Sequence, residues 1–125
     1  MTSSTLLQRA FFGKDNCLKV TLHKKLECYF EFGTPKKENE KGWNWKPVKF
    51  NDVELGEILL VLEGHNNSAS FFHTFKEEKT QIWVSRKDKF LTIKVKGLSK
   101  GLNEGEQVVL RELIRHMIVR MNIKF

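Results

Sequence analysis

The sequence predicts an α+β protein: two antiparallel, four-stranded-type β-sheets packed crosswise, a short helix between them and a long C-terminal helix. Three observations predict it. Period-two alternation of apolar and polar residues recurs in both halves of the chain. Two capping-box patterns, Asn51 with Glu54 and Asn103 with Glu106, each stand before an apolar stripe at helical spacing. Finally, 125 residues, 40% of them hydrophobic, suit one domain spanning 1–125 that buries a real core.

Taken in order, Thr5–Phe12 is a candidate first strand. In Cys17–His23, Leu18, Val20 and Leu22 share one face, while Lys19, Thr21 and His23 share the other. Leu26–Phe32 alternates in the same way, with Leu26, Cys28, Phe30 and Phe32 inward and Glu27, Tyr29 and Glu31 outward. A turn at Lys24–Lys25 joins these two strands. Gly33–Gly42 is polar with Gly and Pro and reads as an exposed loop. Trp43–Phe50 follows as a strand that Pro47 pushes to a sheet edge. Asn51–Gly64 reads as the short helix, with Val53, Leu55, Ile58, Leu59 and Leu62 as its stripe and Gly64 as its stop.

The second half repeats this plan in architecture, without a tight sequence repeat. Ala69–Phe75, Thr80–Lys87 and Phe90–Lys96 read as strands, with turns at Glu77–Glu78 and Lys87–Asp88. A helix of about five turns then runs from Asn103 to near Met121. Its stripe of Val109, Leu110, Leu113, Ile114, Met117, Ile118 and Met121 is wide, and Arg111, Arg115 and Arg120 take the remainder.

Net charge is +7 with a pI near 9.5, unevenly spread. Residues 1–50 carry +5, residues 51–65 carry −4, residues 66–100 carry +5 and residues 101–125 carry +1. Two basic blocks divided by one acidic segment suit a polyanion, of which nucleic acid is the commonest and an anionic membrane surface the alternative. The acidic segment is the short helix, which is expected to face away from a polyanion. No apolar stretch approaches the ~18 residues of a membrane span, and Met-Thr-Ser-Ser does not open a secretory signal. Cys17 and Cys28 show neither metal nor redox spacing. A turn at Lys24–Lys25 sets Cys17 opposite Phe32, so the expectation is two free thiols in a reducing cytoplasm.

Outward positions of a half-buried strand should be polar, yet several here are aromatic. Tyr29 lies between Glu27 and Glu31, Trp83 precedes Ser85, and Phe90 leads Thr92, Lys94 and Lys96. Trp43 and Trp45 share one face of their strand, with Asn44 and Lys46 on the other. Rings interleaved with cations on an open sheet are what sequence-tolerant single-strand binding requires: each base stacks for ~1–3 kcal/mol while the cations track phosphates. The candidate binding residues are Lys19, His23, Lys24, Lys25, Tyr29, Trp43, Trp45, Lys46 and Lys49 in the first block. In the second they are Trp83, Arg86, Lys87, Lys89, Phe90, Lys94 and Lys96. A ring on an outer sheet face also serves as interface core or lies under a helix, and one ring alone does not separate these roles. Coupled to two basic blocks, the set favours binding. A recognition helix or an Arg-rich arm for duplex is not evident.

Other constellations carry less. Phe71-Phe72-His73 reads as core strand, with Phe71 and His73 on one face and Phe72 on the other. His23, His65, His73 and His116 are scattered, so no metal and no cofactor is expected. The sequence has no Gly-rich phosphate loop and no nucleophile elbow; Glu54 and Glu57 read as solvated, and the expectation is a protein that is not an enzyme. Leu110, Ile114, Met117, Ile118 and Met121 are the candidate oligomer interface, because their stripe is broader than one sheet face needs.

The stretch Trp43-Asn-Trp-Lys-Pro-Val-Lys-Phe50, then Val53-Glu-Leu-Gly-Glu-Ile-Leu59, then Ser70-Phe-Phe-His73, resembles the Whirly single-stranded-DNA-binding family. The resemblance runs from about Phe11 to Met121 and rests on the order and spacing of short motifs. It implies two sheets packed face to edge, helices that assemble a tetramer, and single-stranded DNA along the sheet edges between protomers. It also implies kinship with the transcription-coactivator single-strand-binding fold and with kinetoplastid guide-RNA-binding proteins. The Lys-Gly-Lys-Ala motif of plant Whirly proteins is absent; Leu6–Phe12 stands near its place. The Pur-alpha repeat shares a β-β-β-β-α plan and is a rival within the same functional class. Without a transit peptide in the sequence, a prokaryotic or viral cytoplasmic protein is expected.

Together these readings predict a non-enzymatic single-stranded DNA-binding protein, a homo-oligomer and foremost a tetramer, acting in replication, repair, recombination or transcription. RNA binding or annealing is the alternative within the class. A protein-interaction module whose aromatics form an oligomer interface is the alternative outside it. Salt separates the last two, since phosphate contacts weaken steeply as salt rises and an apolar interface does not.

Overall fold

The computed structural model describes residues 4–37 and 41–123. Four strands, β1 (Thr5–Phe12), β2 (Cys17–His23), β3 (Cys28–Pro35) and β4 (Trp43–Phe50), form an antiparallel N-terminal sheet in the order β1-β2-β3-β4. Helix α1 (Asp52–Leu62) follows. A second antiparallel sheet, in the order β5-β6-β7-β8, is made by β5 (Ser68–Phe75), β6 (Glu78–Lys87), β7 (Phe90–Val95) and β8 (Leu98–Leu102), and α2 (Glu104–Asn122) ends the chain. The fold is α+β, with one four-stranded sheet in each half. Pro47 lies on β4, an edge strand, where a missing N–H costs no ladder bond.

Both capping boxes form. Asn51 accepts from the Glu54 N–H at 2.8 Å while the Glu54 side chain accepts from the Asn51 N–H at 3.0 Å, and Asn103 and Glu106 repeat the exchange. Each box pairs two donors that a helix N-terminus would otherwise leave open. Gly64, at φ +82°, supplies the left-handed residue after α1.

Several sequence expectations shift by a residue or more. Leu26 is not inward: at φ 61° it belongs to the β2–β3 turn, and the strand begins at Cys28. Cys17 pairs with Gly33 and Leu22 with Cys28, one step from the expected register; both cysteines are buried and free. Gly33, Thr34 and Pro35 continue β3 instead of opening the loop, whose residues 38–40 lie outside the described part. On α1 the buried residues are Leu55, Ile58, Val61 and Leu62, while Val53 is exposed in the first turn. The β5–β6 turn centres on Lys76 and Glu77 and the β6–β7 turn on Asp88 and Lys89. Lys96 leaves β7 for a turn with Gly97 at φ +77°, and β8 follows, a strand the alternation did not reveal.

One core joins the sheets. Phe50 of β4 meets Phe30 edge-on at 4.9 Å and Phe71 of β5 at 5.6 Å, so a single ring touches both layers. Helix α1 packs on α2, β5 and β6, and α2 also reaches β8. The Cys28 thiol lies 3.7 Å from the Met117 sulfur, which seats α2 on the N-terminal sheet. This placement corrects part of the expected oligomer interface. Leu110, Ile114 and Met117 are wholly buried within one chain and have no surface left for a partner copy. Ile118 and Met121 keep part of theirs.

Candidate nucleic-acid interface

Each sheet has an inward face on the core and an outward face, and the two outward faces differ in chemistry. On the N-terminal sheet the outward set includes Lys19, Thr21 and His23 of β2, Tyr29 and Glu31 of β3, and Trp43, Trp45 and Lys49 of β4. These groups satisfy one another. Lys19 pairs with Glu31 at 3.5 Å, and its ammonium sits 4.1 Å from the centre of the Trp45 ring. The ring also lies against Gly33, where a Cβ would come within 2.8 Å of it. Trp45 thus packs on both the Gly33 backbone and the Lys19 ammonium. Trp43 tilts against Trp45 at 6.2 Å and Phe12 at 6.0 Å.

Further along the same face, Glu27 binds the Lys49 ammonium at 2.8 Å and accepts from the Tyr29 hydroxyl at 2.9 Å. The Lys49 and Tyr29 bonds hold the Glu27 carboxyl below its ordinary range, and Glu27 in turn raises both Lys49 and Tyr29. The Tyr29 ring also meets His23 edge-on at 5.0 Å. Lys24 and Lys25 stand exposed on the adjoining turn.

The C-terminal sheet presents a different outward face. Register places Ser68, Ser70, Phe72 and Thr74 of β5 there, with Lys79, Gln81, Trp83, Ser85 and Lys87 of β6. Phe90, Thr92 and Lys94 of β7 and Ser99 and Gly101 of β8 complete it. No carboxylate occupies an outward strand position. Phe72 is 69% exposed, Phe90 57% and Trp83 42%, and none of the three makes a ring contact among the described residues. Lys79, Lys87 and Lys94 are exposed and form no ion pair among the described residues. Helix α1, with its acidic residues Asp52, Glu54 and Glu57 and the C-cap Glu63, packs on the opposite face of β5 and β6. The Gln107 side chain ties the β6–β7 hairpin down by donating to the carbonyls of Lys89 and Leu102 at 2.9 and 3.0 Å.

Of the residues expected to bind, Trp83, Lys87, Phe90 and Lys94 are brought together on this open face, with Lys89 at its hairpin. Lys96 pairs with Glu78 at the far end of the sheet. Arg86 is a correction. It points inward and donates to the carbonyls of Val61 and Leu62 at 2.9 and 3.0 Å. The last turn of α1 has no cation of its own, and Arg86 supplies one at the negative end of the helix. Lys46 also takes the inward register, opposite Phe32, and lines a cleft of about 970 Å³ between the β4 and β5 edges. Phe72, absent from the expected set, is the most exposed ring of the face; the same alternation that put Phe71 inward marks it.

Among the described residues no group of three or more His, Cys, Asp or Glu side chains is placed to hold a metal ion. No helix is long and apolar enough to cross a membrane.

No protein-family model matches the sequence, and no curated protein matches it. Among solved structures the fold is similar to that of a guide-RNA-binding protein complex bound to a guide RNA. The TM-score is 0.71 at 15% identity, over 94% of this chain and 95% of that one. It is also similar to MRP1/MRP2 of Trypanosoma brucei, with a TM-score of 0.60 at 15% identity, over 92% and 86% of the two chains. At this identity the likeness is one of fold.

Proposed function

We propose that this protein binds single-stranded nucleic acid without catalysis, RNA in the first place, on the outward face of its C-terminal sheet. The observation that carries the reading is the coincidence of three rings and three lysines, without ring contacts or ion pairs among the described residues, on outward strand positions free of carboxylates. Rings give every base a stacking surface, and lysines follow the phosphates. The N-terminal sheet has as many aromatics, but its outward strand lysines, Lys19 and Lys49, are bound to Glu31 and Glu27.

Two observations support RNA. The fold is similar to that of a guide-RNA-binding protein complex, and Ser70, Gln81, Ser85 and Thr92 stand beside the rings, hydroxyl and amide groups that suit the 2′-OH. The Whirly resemblance supports single-stranded DNA. We further infer a homo-oligomer, with Ile118, Met121 and the exposed Val108 and Val119 of α2 as its contact surface.

Fluorescence anisotropy with RNA, DNA and duplex of one sequence at two salt concentrations tests the reading. Single strands are expected to bind more tightly than duplex, RNA ahead of DNA, with affinity falling steeply as salt rises. Equal affinity for duplex and single strand overturns it.

A further inference from the structure

The three rings are not scattered over the sheet. Phe72 stands opposite Gln81, two residues from Trp83 along β6; Phe90 stands opposite Lys87, four residues farther in the same direction. Each ring belongs to the next strand over. With strands ~4.8 Å apart and a rise of ~3.4 Å per residue, the steps are roughly 8 Å and 14 Å along one diagonal of roughly 22 Å. A stacked strand advances ~3.4 Å per nucleotide, so this diagonal holds at most about six. Lys94 lies beside Trp83, and Lys87 beside Phe90.

At its β5 end the diagonal does not stop at a wall. Phe72 also lines the cleft between the edge strands β4 and β5. Pro47, Val48, Tyr29 and His73 give that cleft an apolar and aromatic lining, and Lys46 and Lys49 give it cations. Its two carboxylates are already occupied: Glu54 contacts the His73 ring at 2.6 Å and caps α1, and Glu78 pairs with Lys96. Lys49 is shared with Glu27, whereas half-buried Lys46 forms no ion pair among the described residues. An anion entering the cleft therefore meets Lys46, an ammonium with no ion pair of its own among the described residues.

We propose that the bound strand crosses the sheet along the Phe90–Trp83–Phe72 diagonal, turns over the β5 edge at Phe72 and continues into this cleft, where Lys46 receives a phosphate. This extension rests on the reading of the C-terminal sheet as the nucleic-acid face. The cleft volume of about 970 Å³ accommodates more than a single base. The ligand class is a single strand longer than the sheet alone can hold, with its two ends treated differently: one stacked on an open face, the other lodged in an open cleft between two sheet edges.

The test compares fluorescently labelled 6-mer and 12-mer oligouridylates on wild type, Lys46→Glu and Lys46→Gln. The 12-mer is expected to lose roughly tenfold in affinity with Lys46→Glu and less with Lys46→Gln, and the 6-mer to stay within about threefold in both. The slope of log K against log salt for the 12-mer should fall by about 0.7, the single-strand value for one phosphate contact. Equal losses on both lengths, or no loss on either, overturn the cleft path while leaving the sheet as the interface. If neither length binds wild type, the proposed function itself fails. Lys46→Gln keeps the stem and removes only charge, so it reports on the contact should Lys46→Glu fold poorly.

Discussion

Replacing Trp83 with alanine separates a binding ring from a structural one. Trp83 lies mid-strand between Ser70 of β5 and Lys94 of β7, and 42% of its surface is exposed. No helix covers that face, so the part already hidden rests only on sheet neighbours. Cross-strand pairs of this kind contribute roughly 0.2–1 kcal/mol each, well under the ~3–5 kcal/mol of a core aromatic. A stability loss near 1 kcal/mol lowers the melting temperature of a chain this size by about 3–6 °C. Binding loses more, because a base that stacks for ~1–3 kcal/mol leaves with the ring, a weakening of roughly 5- to 150-fold. The salt slope stays unchanged, since no phosphate contact is lost. Anisotropy titration of a 12-mer, run beside a thermal melt of the same variant, reads both numbers. A variant that melts more than 10 °C lower yet binds normally while folded would make Trp83 core and refute the assignment of the face.

Four further outcomes follow from the same geometry. Lys94→Ala should lower the single-strand salt slope by about 0.7, whereas Lys19→Ala should leave the slope alone and cost stability, because Lys19 is committed to Glu31 and the Trp45 ring. Gly33→Ala should destabilise by about 1–3 kcal/mol and shift indole emission, because its methyl would intrude on the Trp45 ring. Burial pushes the Cys28 thiol from 9.0 up to about 12. The folded state thus keeps a proton that the unfolded chain releases, so stability is full below pH 9 and is lost progressively between 9 and 12; Cys28→Ala should flatten that part of the profile in pH-dependent melts. Ile114→Glu should unfold the single chain and Val119→Glu should leave it folded with fewer subunits, measured by circular dichroism and light scattering.

The fold was legible where local rules and tertiary demands agree. Alternation in Cys17–His23 and Trp43–Phe50 marks β2 and β4 to the residue, and both capping boxes mark their helices. It failed where one residue disguised the pattern. In β8, Lys100 takes an inward position and is 6% exposed, its ammonium donating to the Gly101 carbonyl at 2.8 Å; a lysine beside a glycine hides a strand of five residues. The site shows the same limit. Arg86 shares inward parity with Ile82 and Val84, but its charge reads as surface until the open end of α1 is seen behind it. Sequence marks the cations of both sheets alike, and only the structure shows that Lys19 and Lys49 are engaged while Lys87 and Lys94 form no ion pair among the described residues. The breadth of the α2 stripe has a similar cause: α2 buries against α1, β8 and the N-terminal sheet at once, so a wide stripe does not by itself require a second copy.

The central claim is that the C-terminal sheet, and not the equally aromatic N-terminal one, receives the strand. Photo-crosslinking of a 4-thiouridine oligonucleotide followed by peptide mapping tests it most directly, because the reactive base marks the rings it lies on. Adducts are expected at Phe72, Trp83 and Phe90 and should vanish at high salt; adducts confined to Trp43, Trp45 and Tyr29 would place the strand on the N-terminal sheet instead.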